Sequence, residues 1–248
     1  MQVIIWTRMM VGVRAMSQTF QDRILNEFLP IFCTTRSLSS DGFKADWSKV
    51  SEVDATDFLR SFSGELLKHE GRGLYRAPRS YAGEQFFWEG LTKKTPRPIT
   101  LWVEPIITVA VLARLHFELG WPKELLGTQT KGGWAFDVAT YLSGGSEVEY
   151  IACEVKKTSA EVSRLLELMD RFGKDPHATV APKEQNAFRK VKALRHRRPP
   201  FFWAVGPGRL SHAFIVEYVE DDVVLLHEMQ DLEYLSWRKV DRLAQSAI

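Results

Sequence analysis

The order of hydrophobic periodicities predicts an α/β fold: a mixed central sheet flanked by helices, preceded by a mainly helical N-terminal region. Three observations carry this. Apolar, strand-length runs cluster in the second half of the chain, at LLGTQT, WAFDVATYL, VEYIACEVKK, FFWAVG, AFIVEYV and VVLLHEM. Segments of 3.6-residue period are interposed among them at 159–172 and about 183–197. Hydrophobic residues make up 45% and charged residues 26% of 248 residues, which excludes a disordered, collagen-like or coiled-coil chain.

Taken in chain order, Ser17 caps a helix to about Leu29, with Phe20, Ile24, Leu25 and Phe28 at helical spacing and Pro30 closing it. Residues 34–46 are polar and read as loop. Asp54 to Lys68 is a second helix, with Phe58, Leu59, Phe62, Leu66 and Leu67 on its apolar side. The stretch GRGLYRAPRSYAGEQFFWEG, rich in glycine and aromatics, has no single period. KKTPRP (93–98) marks the boundary between an N-terminal region, 1–98, and a second domain, 99–248. That domain opens with a helix whose first residue is Pro105 and which stops at Gly120. It is apolar on most sides, so it is buried.

The 33 basic and 31 acidic residues nearly cancel, so net charge selects no partner. Only Cys33 and Cys153 are present, which excludes a disulfide framework or zinc cluster and fits a reducing cytoplasm. The longest apolar stretch, Ile106 to Leu119, is broken by Arg114, His116 and Glu118, and no membrane span is expected. Met16 could serve as an alternative start, with 1–15 an extension of little structural meaning. No P-loop, strand-borne GxGxxG or GxSxG is present, which argues against an NTPase, a Rossmann dehydrogenase and a serine hydrolase.

The most specific signal lies in the hairpin 134–156. With Gly144 and Gly145 as the central residues of a tight turn, Asp137 lies opposite Ala152 and Glu154 opposite Ala135. Opposed residues share a face, as do alternate residues along a strand. Asp137, Glu154 and Lys156 therefore project from one face, beside small Ala135, Ala139 and Ala152. Trp134, Phe136, Val138, Ile151, Cys153 and Val155 form an apolar opposite face. Two adjacent carboxylates repel unless a cation lies between them. Carboxylate oxygens suit Mg²⁺, which keeps several waters and takes only one or two protein carboxylates.

Asp137 followed by Glu154-Val155-Lys156, the only acidic-x-Lys triplet in the chain, resembles the PD-(D/E)xK nuclease superfamily. The resemblance covers about 99–220 and implies a restriction-endonuclease-like core. It also implies hydrolysis of phosphodiester bonds, with Mg²⁺ or Mn²⁺ held by Asp137, Glu154, the Val155 carbonyl and Glu104 from the preceding helix. Lys156 would orient or activate the water, making Asp137, Glu154 and Lys156 the catalytic set. Phe136 stands where the family often has proline. The opposing reading is a cross-strand ion pair on a solvated face, which the flanking alanines disfavour.

Between Lys183 and Arg198 lie seven basic residues and one acid, a net +6. Phe188, Val191 and Leu194 form an apolar stripe, leaving Arg189, Lys190, Lys192, Arg195, Arg197 and Arg198 as a nucleic-acid-binding surface, with DNA the favoured polymer. A basic helix end complementing its dipole is the alternative. A homodimer or larger complex is compatible with the family. Two other functions stay open. One is a catalytically inactive nucleic-acid-binding or assembly subunit of the same fold. The other is a protein-interaction module docking through Phe86, Phe87 and Trp88.

Overall fold

The computed structural model describes residues 19–130 and 136–240. Met16, Ser17, the extension 1–15, Trp134 and Ala135 lie outside the described residues.

Residues 19–34 form helix α1. Pro30 does not end it. A π-turn at Ile24–Phe28, in which the Leu29 N–H reaches the Ile24 carbonyl, widens the helix just ahead of the proline. Pro30 then falls in the first turn of the segment Leu29–Thr34, where a missing N–H is tolerated. After strand β1 (Phe43–Lys44), Ser51 caps helix α2 (Glu52–Ser63), its hydroxyl accepting from the Asp54 N–H. This helix is shorter than expected. Gly64 caps it and Glu65 takes a left-handed conformation, φ 53°, so Leu66 and Leu67 are buried beyond its end.

Among its described residues the N-terminal region carries short strands beside its helices. It carries β1, β2 (Lys68–His69), β3 (Leu74–Arg76), β4 (Glu84–Gln85) and β5 (Phe87–Glu89). Strands of two or three residues are too short to show alternation, which is why the Gly/aromatic stretch has no readable period. Strand β6 (Ile99–Leu101) pairs in parallel with β1 and antiparallel with β5. One hydrophobic cluster, including Phe28, Phe58, Phe86, Ile107 and Val155, runs across the expected boundary at 98.

Helix α3 (Val103–Ala113) begins two residues before Pro105, with Trp102 as its N-cap, and passes into a π-turn at Arg114–Glu118. Glu104 therefore lies within the first turn. Next come β7 (Leu126–Thr128), β8 (Val138–Thr140), β9 (Ile151–Val155), helices α4 (Ser159–Lys174) and α5 (Gln185–Arg197), and then β10 (Phe201–Val205), β11 (Ser211–Tyr218) and β12 (Val224–Met229). These six strands form one mixed sheet, order β12-β11-β10-β9-β8-β7, with only β9 and β10 parallel. Alternation along β9 divides the core. Ile151, Cys153 and Val155 pack toward α3, and Ala152 packs toward α4 and α5 beside Phe202 and Ala204. No helix among the described residues is long and apolar enough to cross a membrane. Cys33 and Cys153 are free and buried.

The hairpin register differs from the sequence expectation. Ala139, not Asp137, pairs with Ala152, and Val138 pairs with Cys153. Ser143 and Ser146 still close a turn over Gly144 and Gly145. Neither glycine has the positive φ of a two-residue hairpin turn, and the strands part at Thr140 and Ile151. A shift of two residues keeps every side chain on its face. Phe136 is the exception. It precedes β8, its N–H donates to Thr130 Oγ1, and its ring packs in the cluster with Ala152.

Candidate active site

Asp137 stands one residue before β8, and Glu154 and Lys156 lie at the carboxyl end of β9. The Lys156 N–H donates to the Val205 carbonyl and the Asp137 N–H to the Cys153 carbonyl, so both backbones are locked to the sheet. Together with Glu104 they line one cleft of about 380 Å³, shared with Glu84, Trp102, Gln129, Asn186 and Lys190. The sheet, the start of α3, strand β4 and one face of α5 thus meet at this point.

Glu154 is 1% exposed. A buried carboxylate needs partners, and each of its oxygens has a lysine. Lys156 Nζ donates to Oε1 at 2.6 Å, and Lys190 Nζ lies 2.6 Å from Oε2. The second is a charge contact, without hydrogen-bond alignment at Oε2. Lys156 Nζ also donates to the Val155 carbonyl at 2.8 Å and lies 3.6 Å from Glu104 Oε1. Asp137 Oδ2 accepts from the Val155 N–H at 2.8 Å. Glu84 is almost fully buried and accepts from Gln129 Nε2 at 3.0 Å.

Crowded acids shift one another. Burial, reinforced by Asp137, pushes the Glu154 carboxyl up to about 7 in spite of the two lysines. Burial lifts Glu84 to about 8, opposed by Gln129 and assisted by Asp137 and Glu104. Burial also raises Glu104, with Lys156 opposing. Burial alone would lower Lys156, but Glu154, Asp137 and Glu104 more than offset it, so its pKa is raised and the ammonium stays protonated.

Whether a divalent ion suits these residues can be judged from the ammonium itself. Glu154 Oε1, the Val155 carbonyl and Glu104 Oε1, three of the four expected donors, already surround one cationic nitrogen at 2.6–3.6 Å. The fourth, Asp137, lines the same cleft. Among the described residues no three His, Cys, Asp or Glu side chains are drawn together as a ready metal cluster. Mg²⁺ takes only one or two carboxylates and fills its shell with water, so the donor set fits, provided Lys156 yields its place.

The basic segment divides. Arg189, Lys192 and Arg198 face solvent. Lys190 does not belong to that surface: it is 5% exposed and turned into the cleft. Arg195 is tied down by the carbonyls of Phe172 and Asp222. Arg197 is paired with buried Glu149 and donates to Thr130 Oγ1 at 3.0 Å. These two hold the helix end in place and leave little to offer a phosphate. Of Phe86, Phe87 and Trp88, only Trp88 is exposed.

Sequence reading missed Glu84, because β4 carries no periodic signal. It also missed that Lys190 faces inward, although a signal was present. The buried positions of α5 are Ala187, Lys190, Val191 and Leu194, and a lysine three residues after one and four before another shares their face. Searches with family models, curated proteins and solved structures give no match to this chain.

Proposed function

We propose that the chain is a Mg²⁺- or Mn²⁺-dependent nuclease of the PD-(D/E)xK kind, hydrolysing phosphodiester bonds in DNA. The observation that carries this reading is that Glu154, Glu104 and the Val155 carbonyl surround the Lys156 ammonium at the end of β9, with Asp137 lining the same cleft. The topology supports it: an antiparallel β7-β8-β9 meander, a helical crossover, and β10 returning parallel to β9 is an order compatible with a restriction-endonuclease-like core.

Asp137 and Glu154 would hold the ion, with the Val155 carbonyl and Glu104 completing the protein's share. The bound ion supplies positive charge that polarises a phosphate oxygen. Lys156, released from Glu154, places an ammonium beside the attacked phosphate and orients water there. Lys190 holds the second Glu154 oxygen and keeps that carboxylate aimed at the cleft. Arg189 and Lys192 on the same helix, and Arg198 just past its end, lie outside the cleft and offer phosphate contacts to the flanking strand.

The test is incubation with supercoiled, linear and single-stranded DNA in Mg²⁺, Mn²⁺ or chelator, beside Asp137→Asn and Glu154→Gln. The reading expects metal-dependent products from the wild type and none from either variant. Undiminished cleavage by folded Glu154→Gln would exclude this site.

A second reading has its own observation. Both Glu154 oxygens are neutralised by lysines, as in a site that binds nucleic acid without cutting it. Salt-sensitive DNA binding with no Mn²⁺ binding in calorimetry would select this inactive subunit.

A further inference from the structure

We infer that the mouth of the cleft is a stacking platform for an unpaired nucleobase, formed by Trp102 and braced by Trp88, so that the substrate enters as a single strand or a frayed end. This rests on the nuclease reading and names its substrate class.

The platform follows from strand geometry. Trp88 on β5 pairs with Thr100 on β6, and Trp102 lies two residues further along the same chain. Residues two apart share a face, so Trp88, Thr100 and Trp102 point one way. Phe87 and Ile99 point the other way, where they are buried. The two indoles meet edge to face, with centroids 5.8 Å apart and planes at 76°. Trp88 is 60% exposed and Trp102 40%. Leaving two large apolar rings in water, in contact with each other, forgoes burial that Trp121 and Trp203 of the same chain achieve completely.

Their place shows what they serve. Trp102 lines the cleft and is two residues from Glu104. A polymer whose phosphate lies by Lys156 has this indole on one wall of its way out. The cleft, about 380 Å³, is at the small end of ligand pockets. It accepts a nucleotide-sized group. Every base offers a π-face, so an aromatic shelf suits a strand of any sequence. T-shaped contact with Trp88 fixes the Trp102 ring, so that less side-chain freedom is lost when a base lands.

The experiment measures binding in chelator, where no cleavage occurs, by tryptophan emission and by anisotropy of labelled oligonucleotides. A single-stranded oligomer is compared with the blunt duplex of the same sequence. Wild type should prefer the single strand and show quenched emission. Trp102→Ala should weaken single-strand binding by roughly tenfold, about 1.4 kcal/mol, the low end for a base–aromatic stack. It should weaken duplex binding by much less. Trp102→Phe should recover most of the loss. Trp88→Ala, away from α3, should give a smaller loss of the same kind and guards against disturbance of Glu104. Equal losses for single strand and duplex, or no loss, would overturn the platform. Cleavage in Mg²⁺ by the same preparations separates the two claims. Cutting with an unchanged strand preference in both tryptophan variants removes only the platform. Neither binding nor cutting by wild type removes the nuclease reading and the platform with it.

Discussion

In the proposed nuclease Lys156 occupies the position that the metal would take, so its removal should strengthen metal binding while weakening catalysis. The perturbation is Lys156→Met, which keeps the apolar stem and deletes the charge. At 2.6 Å from Glu154 Oε1, with an effective dielectric near 20, the gross attraction is about 6 kcal/mol. Most of it is spent on desolvating two groups that are 13% and 1% exposed. Breaking a buried pair costs about 3–5 kcal/mol when one charge is stranded. Glu154 keeps Lys190 on its other oxygen, so the metal-free variant should lose about 2–3 kcal/mol. For a chain of this size that lowers Tm by roughly 5–10 °C.

Metal should reverse the deficit. In the wild type an incoming ion must first evict the ammonium from Glu154 Oε1 and the Val155 carbonyl; in the variant those donors are open. Mn²⁺ should bind the variant about tenfold more tightly, a gain of ~1.4 kcal/mol, and raise its Tm by more than it raises that of the wild type. Cleavage should still fall by about 10²-fold, the scale for losing one preorganised charge. Calorimetry with Mn²⁺ and thermal melts with and without it read both effects on one preparation. Weaker Mn²⁺ binding by folded Lys156→Met would show that the ammonium supports the metal site and does not compete for it.

Four further predictions concern other groups. Glu84 is held neutral, with its carboxyl raised from 4.5 to about 8, so its contribution to stability is fully present below pH 4.5 and lost as pH rises through about 8. Glu84→Gln should therefore gain on the wild type by a few kcal/mol, order of magnitude, between pH 5 and pH 8.5; melts in which the gap stays constant would contradict this. Arg197→Ala strands buried Glu149 and should cost about 3 kcal/mol in urea unfolding without altering the salt slope of DNA binding. Lys192→Ala should do the reverse, flattening that slope by about 1 at unchanged stability, and an equal slope for both variants would return Arg197 to the binding surface. Lys190→Ala should reduce cleavage by about 10²-fold with the salt slope intact, because its ammonium points at Glu154 and not at solvent; a flattened slope would place it on the outer surface.

What the sequence disclosed and what it hid follow one physical rule: periodic signals survive in elements long enough to repeat. The mixed sheet with its helices was readable because β9, β10, β11 and α4 run for 5, 5, 8 and 16 residues. The common face of Asp137, Glu154 and Lys156 was readable for a more robust reason. A hairpin register can slip by two residues, as this one does, and the parity that assigns faces is unchanged. The shift still matters chemically. With Ala139 opposite Ala152, the same antiparallel progression brings Asp137 level with Glu154, where a diagonal arrangement had been expected. Repulsion from Asp137 is then what lifts Glu154 beyond burial alone, and the two lysines oppose it. One of those lysines lies in the sequence motif. The other is delivered by a helix thirty-odd residues later, whose buried stripe Ala187-Lys190-Val191-Leu194 includes a charge. A lysine at 5% exposure within an apolar stripe needs an acid at its tip. The described structure supplies one acid for that tip, Glu154. Lys190 is therefore evidence about the site from outside the motif: the helix is built to serve the same carboxylate that the β-hairpin presents.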